Sequence, residues 1–256
     1  MTALWQEVGD RIFRRRYESL DLNIGLIITD ESVVVIDSRA NHRQADELRA
    51  DLARLTRLPV STLINTHFHW DHTFGNARFS EATLIGHERA RSALVERGEQ
   101  MKLELIASDW VPAEARPLFE EVVITPPEET FTIEMGLMVG GRHLELRHLG
   151  RGHTDSDIVI LADDLVFAGD LVEEGAPPSF GDSHPREWVD TLDRLVPLVT
   201  GTVVPGHGDV VDVGFIRGQR DEIAAAIAAL ELGAPEEGPY PPAVMESISR
   251  RMTLPD

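Results

Sequence analysis

Val60-Ser61-Thr62-Leu63-Ile64-Asn65-Thr66-His67-Phe68-His69-Trp70-Asp71-His72 begins as an apolar, β-branched run and ends in a cluster of ionisable side chains. The first half, Val60 to Asn65, reads as a buried strand. Its C-terminal end delivers four potential metal ligands within six positions to a loop that can curl around a cation. If strand alternation persisted, His67, His69 and Asp71 would point the same way, but the loop need not stay extended.

Upstream, Leu22 to Thr29 and Val33 to Asp37 read as short strands. Arg43 to Leu58 reads as an amphipathic helix, because Ala45, Leu48, Leu52 and Leu55 recur at spacings of three and four and Pro59 stops the run. Downstream, Thr83 to Ile85 is strand-like, and mostly helical sequence follows to Ile124, with breaks at Pro112 and Pro117. Strand signals return at Thr130 to Val139, Arg142 to His148, Asp157 to Leu161 and Leu165 to Ala168. Gly140-Gly141 turns the first hairpin. A helix from Arg186 to Leu195, a strand at Thr202 to Val204 and an Ala-rich helix from Phe215 to Leu232 complete the pattern. The Pro- and Glu-rich tail, 233–256, is expected to hold little regular structure. Strands followed by helices in each half predict a single α/β domain over 1–256: two mixed sheets packed face to face with helices outside.

Three later segments repeat the design of the histidine loop. Gly150-Arg151-Gly152-His153 sets a histidine in a glycine-flanked turn, Phe167-Ala168-Gly169-Asp170 puts a carboxylate directly after an apolar strand, and Pro205-Gly206-His207-Gly208 does the same for an imidazole. Small neighbours let the backbone approach closely. Singly, His153 or His207 would be a turn residue and Asp170 a helix cap. Together with the HxHxDH pattern they describe a metal site built from N and O donors, which suits zinc, iron or manganese. His42, His87, His143, His148 and His184 read as ordinary hydrogen-bonding residues.

Composition narrows the function classes. The 256 residues carry 24 Lys and Arg against 44 Asp and Glu, a net charge of −20, which repels nucleic acid. The run Arg14, Arg15, Arg16 is the one basic cluster and reads as a solvated strand edge or loop. With no cysteine there is no disulfide, thiolate site or cysteine nucleophile. Met1 to Tyr17 has no apolar signal region, and no stretch approaches a membrane span, so a cytoplasmic protein with a small-molecule substrate and no membrane partner is expected.

The histidine loop together with His153, Asp170 and His207 resembles the metallo-β-lactamase superfamily, over about Leu22 to Val211. The resemblance implies a four-layer αβ/βα sandwich and two divalent metal ions, zinc first. His67, His69 and His153 would hold one ion, Asp71, His72 and His207 the other, and Asp170 would bridge them. Asp37 matches an aspartate that braces the histidine loop in the family, against a blander reading as a polar strand end. The implied chemistry is hydrolysis by a metal-bound hydroxide, with Asp71 as the catalytic group that orients the nucleophile and moves its proton.

Details within the family set the expected substrate. His69 stands where a glutamate would mark an oxygen-reducing di-iron protein, which favours the hydrolytic branch. Asp170 replaces the cysteine ligand of one β-lactamase group, and Glu173 occupies the position where that group often carries a lysine for the drug carboxylate. An aspartate bridge is instead similar to hydroxyacylglutathione hydrolases, though the basic C-terminal residues of a glutathione site are not evident. A small carbonyl ester, thioester or lactone is the expected substrate. The alternatives are a β-lactam, or an iron-dependent oxygenase of the persulfide dioxygenase kind. Glu173 to Pro185 is either a wall of the site or a proline-stiffened solvent loop. Trp70 either lines the pocket or packs beneath it, and Trp110, Met101 and Leu103 belong to a cover or to core.

Overall fold

Every expected strand forms in the computed structural model, which describes residues 5–109 and 111–253. In chain order the first half comprises β1 (Gln6–Gly9), β2 (Ile12–Tyr17), β3 (Leu22–Ile28), β4 (Val33–Ile36), α1 (His42–Leu55), β5 (Val60–Ile64), α2 (Trp70–Thr73), β6 (Thr83–His87), α3 (Glu88–Ala107), α4 (Arg116–Glu120) and β7 (Glu129–Phe131). The second comprises β8 (Glu134–Val139), β9 (Arg142–Arg147), β10 (Val159–Ala162), β11 (Leu165–Glu173), α5 (Pro185–Leu195), β12 (Val203–His207), α6 (Val213–Glu231) and α7 (Pro242–Thr253).

Hydrogen bonding runs β7-β6-β5-β4-β3-β12-β11-β10-β9-β8, with β2 and β1 continuing from β3. The halves join through one antiparallel pairing, His207 with Leu22. Each half is a mixed sheet: β4, β5, β6 and β7 are mutually parallel, as are β11 and β12, and the other pairings are antiparallel. The two sheets face each other across a shared core, in which Ile27, Ile36 and Ile64 of one half meet Leu146, Ile160 and Phe167 of the other.

Strand alternation then decides the outer layers. Leu63, next to Ile64, faces the opposite way and packs with Ala45, Leu48 and Leu52 of α1. Across the molecule Leu171 and Val172 pack under Trp188, Leu192, Ile216 and Ile223 of α5 and α6. Full burial of each such side chain contributes roughly 1.5–3 kcal/mol, so these faces fix the four-layer order.

Several boundaries differ from the sequence reading for identifiable reasons. α1 ends at Leu55 rather than Leu58, its Thr56 N–H bonding back to Leu52, and Leu55 is exposed rather than on the core face. Pro117 opens α4 instead of breaking a helix, because a first-turn residue has no N–H to give up. The expected strand Thr130 to Val139 divides at Thr132 and Ile133: β7 pairs with β6 and β8 with β9, so the chain crosses between sheets there. The expected unstructured tail contains α7, whose Met245 and Ile248 are buried against the α5 and α6 layer.

The Arg14 to Arg16 run lies in β2 and is not solvated as expected. Arg14 is buried and donates to the Gly208 carbonyl and Asp209, Arg15 pairs with Asp51, and Arg16 with Asp21 and Asp209. Among the described residues no helix is long and apolar enough to cross a membrane.

Candidate metal centre

Strands β4, β5, β11 and β12 all end at one rim, and the side chains named from the sequence meet there. The loop after β5 does not stay extended. Thr66 to His69 turn into the single helical turn α2, with the His72 N–H on the His69 carbonyl, so that the adjacent Asp71 and His72 both face the cluster. β11 continues past Ala168 through Gly169, whose φ of +52° lies in the left-handed region and whose Cβ, if present, would sit 2.7 Å from that of Thr66. The kink coincides with a register shift against β12 and presents Asp170 to the rim. Gly206 completes the fit, because any side chain there would collide with the Asp170 carboxylate.

Asp170 is central. One carboxylate oxygen lies 3.2 Å from His72 Nε2, and the other lies 3.2 Å from His207 Nε2, 3.4 Å from His153 Nε2 and 3.7 Å from His67 Nε2. Asp71 stands 3.4 Å from His207 Nε2 and 3.5 Å from His72 Nε2. Two groups of donor atoms close enough to share a cation result: His67, His69, His153 and Asp170 in one, Asp71, His72 and His207 in the other.

The hydrogen bonds fix how each imidazole is turned. Asp37 accepts the Thr66 N–H, the Thr66 hydroxyl and His72 Nδ1–H, each at 2.8 Å. Since the Thr66 proton goes to Asp37, His67 Nδ1–H must donate to Thr66 Oγ1, 3.0 Å away. His207 Nδ1–H donates to the Leu20 carbonyl, and His69 Nε2–H to Asp182. His153 turns Nδ1 toward Glu173, 3.4 Å away. As neutral rings, His67, His69, His72 and His207 therefore turn a lone pair inward, toward one another and two carboxylates, while His153 Nδ1 is buried without a hydrogen-bond partner. His67 Nε2, His72 Nε2 and Asp170 Oδ1 are buried without a hydrogen-bond partner, and His153 Nε2 meets His69 Nδ1 at 2.8 Å. Electron-rich atoms converge so closely only where positive charge joins them, and neutral imidazole with carboxylate is a donor set for divalent cations.

The electrostatics agree. Burial pushes His67 well below the usual histidine range and keeps its ring neutral, as a ligand must be. Burial also opposes charge on His72 and His153, yet Asp170, Asp71 and Asp37 raise the first well above its ordinary value, while Asp170 and Glu173 push the second up to about 10. The carboxylates thus make the middle of the cluster a favourable place for positive charge.

All seven residues named from the sequence converge, and Asp37 is a brace rather than a plain strand end. Asp182 and the Leu20 carbonyl were not foreseen, since neither lies near a ligand in sequence. The Glu173 to Pro185 loop does form a wall: Glu173, Gly175, Ser179 and Asp182 line a cavity of about 780 Å³ over the cluster. Trp70 and Met101 line it too, and Trp70 packs edge-on against Phe119. Leu103 points to solvent, and Trp110 lies outside the described residues.

Comparison with known proteins places the chain. The sequence model of the metallo-beta-lactamase superfamily matches residues 20–207, and the protein belongs to that family. A metallo-beta-lactamase structure from Pontibacter korlensis aligns at a TM-score of 0.67, covering 86% of this chain and 98% of that one at 18% identity. The DIM-1 metallo-beta-lactamase gives 0.67 over 87% and 97%, at 17% identity. By sequence, the metallo-beta-lactamase type 2 of Bacillus cereus is 24% identical over 200 residues, 75% of this chain and 69% of that protein. A linear primary-alkylsulfatase from a Pseudomonas species is 23% identical over 219 residues, which cover 73% of this chain and 41% of the alkylsulfatase.

Proposed function

We propose that the protein is a dinuclear, zinc-dependent hydrolase of small carbonyl esters, thioesters or lactones. His67, His69 and His153 would hold one ion, Asp71, His72 and His207 the second, with Asp170 reaching both. The observation that carries this reading is the convergence of five imidazoles on two carboxylates at the floor of a cavity.

Bound cations would polarise a substrate carbonyl and lower the pKa of water toward neutrality. The chain's own groups do the rest. Asp71 lines the cavity beside His72 and His207, where it can orient the attacking water and take its proton. Burial works against its carboxylate, but His72 and His207 hold its pKa below the ordinary value, so it is available as an acceptor. Asp37 and Asp182 keep His72 and His69 in the ligating tautomer. Phe68, Trp70 and Leu105 give the cavity an apolar side that displaces water from a substrate's carbon skeleton. A net charge of −20 supports a small-molecule substrate over nucleic acid.

The test is metal content measured with activity on a panel of carboxyl ester, thioester, lactone, β-lactam, sulfate ester and phosphodiester. Two zinc ions per chain and chelator-sensitive turnover of one of the first three are expected. A single iron with thiol-dependent oxygen uptake would replace this reading with an oxygenase. Preferred turnover of the β-lactam or the sulfate ester would assign the substrate kinds for which the relatives are named.

A further inference from the structure

The two walls of the cavity differ in chemistry. On one side α3 and the α2 turn contribute Phe68, Trp70, Met101 and Leu105. On the other, the chain leaving β11 contributes Glu173, Glu174 and Asp182, and Asp21 completes that side. Glu104 of α3 stands exposed at the edge of the apolar wall. Arg97 is the one lysine or arginine among the described lining residues, and its guanidinium sits over the Phe68 ring, 5.2 Å from the centroid.

Not all of these carboxylates face the cavity with charge to spare. Asp21 pairs with the Arg16 guanidinium, and Glu173 and Asp182 are turned toward His153 and His69, the ligands they orient. Glu174 accepts the Asp209 N–H and Glu104 accepts from the Gln100 amide, neutral donors that leave a full negative charge in place. The floor beneath them is formed by His69, Asp71, His153, Asp170 and His207, residues that would hold the metal ions, so a group bound between the walls lies over the reacting centre.

We propose that this cavity selects positively charged substrates, an ammonium-bearing carboxyl ester, thioester or lactone whose carbon skeleton lies on the apolar wall, and that Glu104 and Glu174 impose the choice. The inference rests on the hydrolase reading above and deepens it. Above the metal ligands, a substrate carboxylate would meet repulsion from Glu104 and Glu174, with Arg97 the one cationic side chain among the described lining residues, whereas an ammonium is drawn to those walls and its alkyl stem covers Met101 and Leu105.

Butyrate esters of choline, of its uncharged isostere 3,3-dimethylbutanol and of 4-hydroxybutanoate test this on the zinc-loaded protein. The choline ester should exceed the isostere in kcat/KM by about fivefold, the factor of one solvent-exposed ion pair, and the anionic ester should fall below both. Glu104→Lys should bring the choline-to-isostere ratio to about one, Glu104→Asp should retain it, and raised salt should shrink it. Equal rates for the choline ester and its isostere, or preference for the anion, would overturn the inference. If none of these esters is turned over, and no thioester or lactone of the panel either, the hydrolase reading fails by itself. Binding of choline against 3,3-dimethylbutanol, followed at the Trp70 indole, then decides the charge preference: tighter choline binding supports it, equal affinity overturns it.

Discussion

The two ends of the sandwich both carry charged residues around a hollow, but only one has the makings of a reaction centre. At the far end, where β3 turns into β4 and β8 into β9, a cavity of about 510 Å³ is lined by Arg11, Asp30, Arg142 and Asp163. Those charges satisfy one another: Arg11 pairs with Asp30 at 2.6 Å, and Arg142 with Asp10 at 3.0 Å and Asp163 at 3.5 Å. At the near rim the polar atoms are deeper, and His67, His72 and His207 make their hydrogen bonds outward, leaving His67 Nε2, His72 Nε2 and Asp170 Oδ1 buried without a partner. A hollow with charges around it is common. Buried acceptors held against each other by outward hydrogen bonds are costly, and persist where a ligand completes them.

The largest expected effect breaks the near rim at its centre. Asp170→Ala should lower kcat/KM by about 10³-fold or more and reduce bound metal, with far-UV circular dichroism unchanged. A variant with full activity would remove the basis for treating the two ends differently. Next, Asp37→Ala removes the shared acceptor of Thr66 and His72. Zinc affinity in competition with a chelator should drop about 10- to 100-fold. Urea denaturation of the apoprotein should show a loss of about 1–3 kcal/mol for each buried donor left unpaired.

Asp182→Asn should weaken zinc binding by about tenfold, the lower end of what such outer partners contribute, because the His69 side chain it holds is partly exposed. The smallest effect belongs to the far end. Arg11→Ala should cost less than about 1 kcal/mol in urea, since the pair is solvent-exposed, and should leave zinc affinity as it was. If Arg11→Ala matched Asp182→Asn in lost metal affinity, the two ends would be coupled and the contrast would fail.

Much of the site was legible because its residues lie in short segments with a periodicity of their own. β5 is an apolar run that leads into the His67 to His72 turn, and β11 and β12 are apolar runs that carry Asp170 and His207 beside glycine, and those patterns survive in one dimension. What escaped notice depends on distant partners. Asp182 meets His69 across 113 positions, and His207 finds the Leu20 carbonyl across 187. Arg14 reads as surface charge until β2 is placed beside the Gly208 turn, whose carbonyl and Asp209 it then holds. α7 reads as tail because its proline and glutamate residues mask the spacing of Met245 and Ile248, whose burial depends on α5 and α6 being in place.

The sequence by itself determined most of the strands and helices, the donor set and the family likeness, because hydrophobic period, turn glycines and HxHxDH spacing are local properties of the chain. The tertiary structure alone decided which nitrogen of each imidazole faces inward, which wall of the cavity is acidic, and where the chain crosses between sheets. Those outcomes are set by contacts between residues far apart in sequence, and such contacts exist only after the two sheets have closed on their shared core.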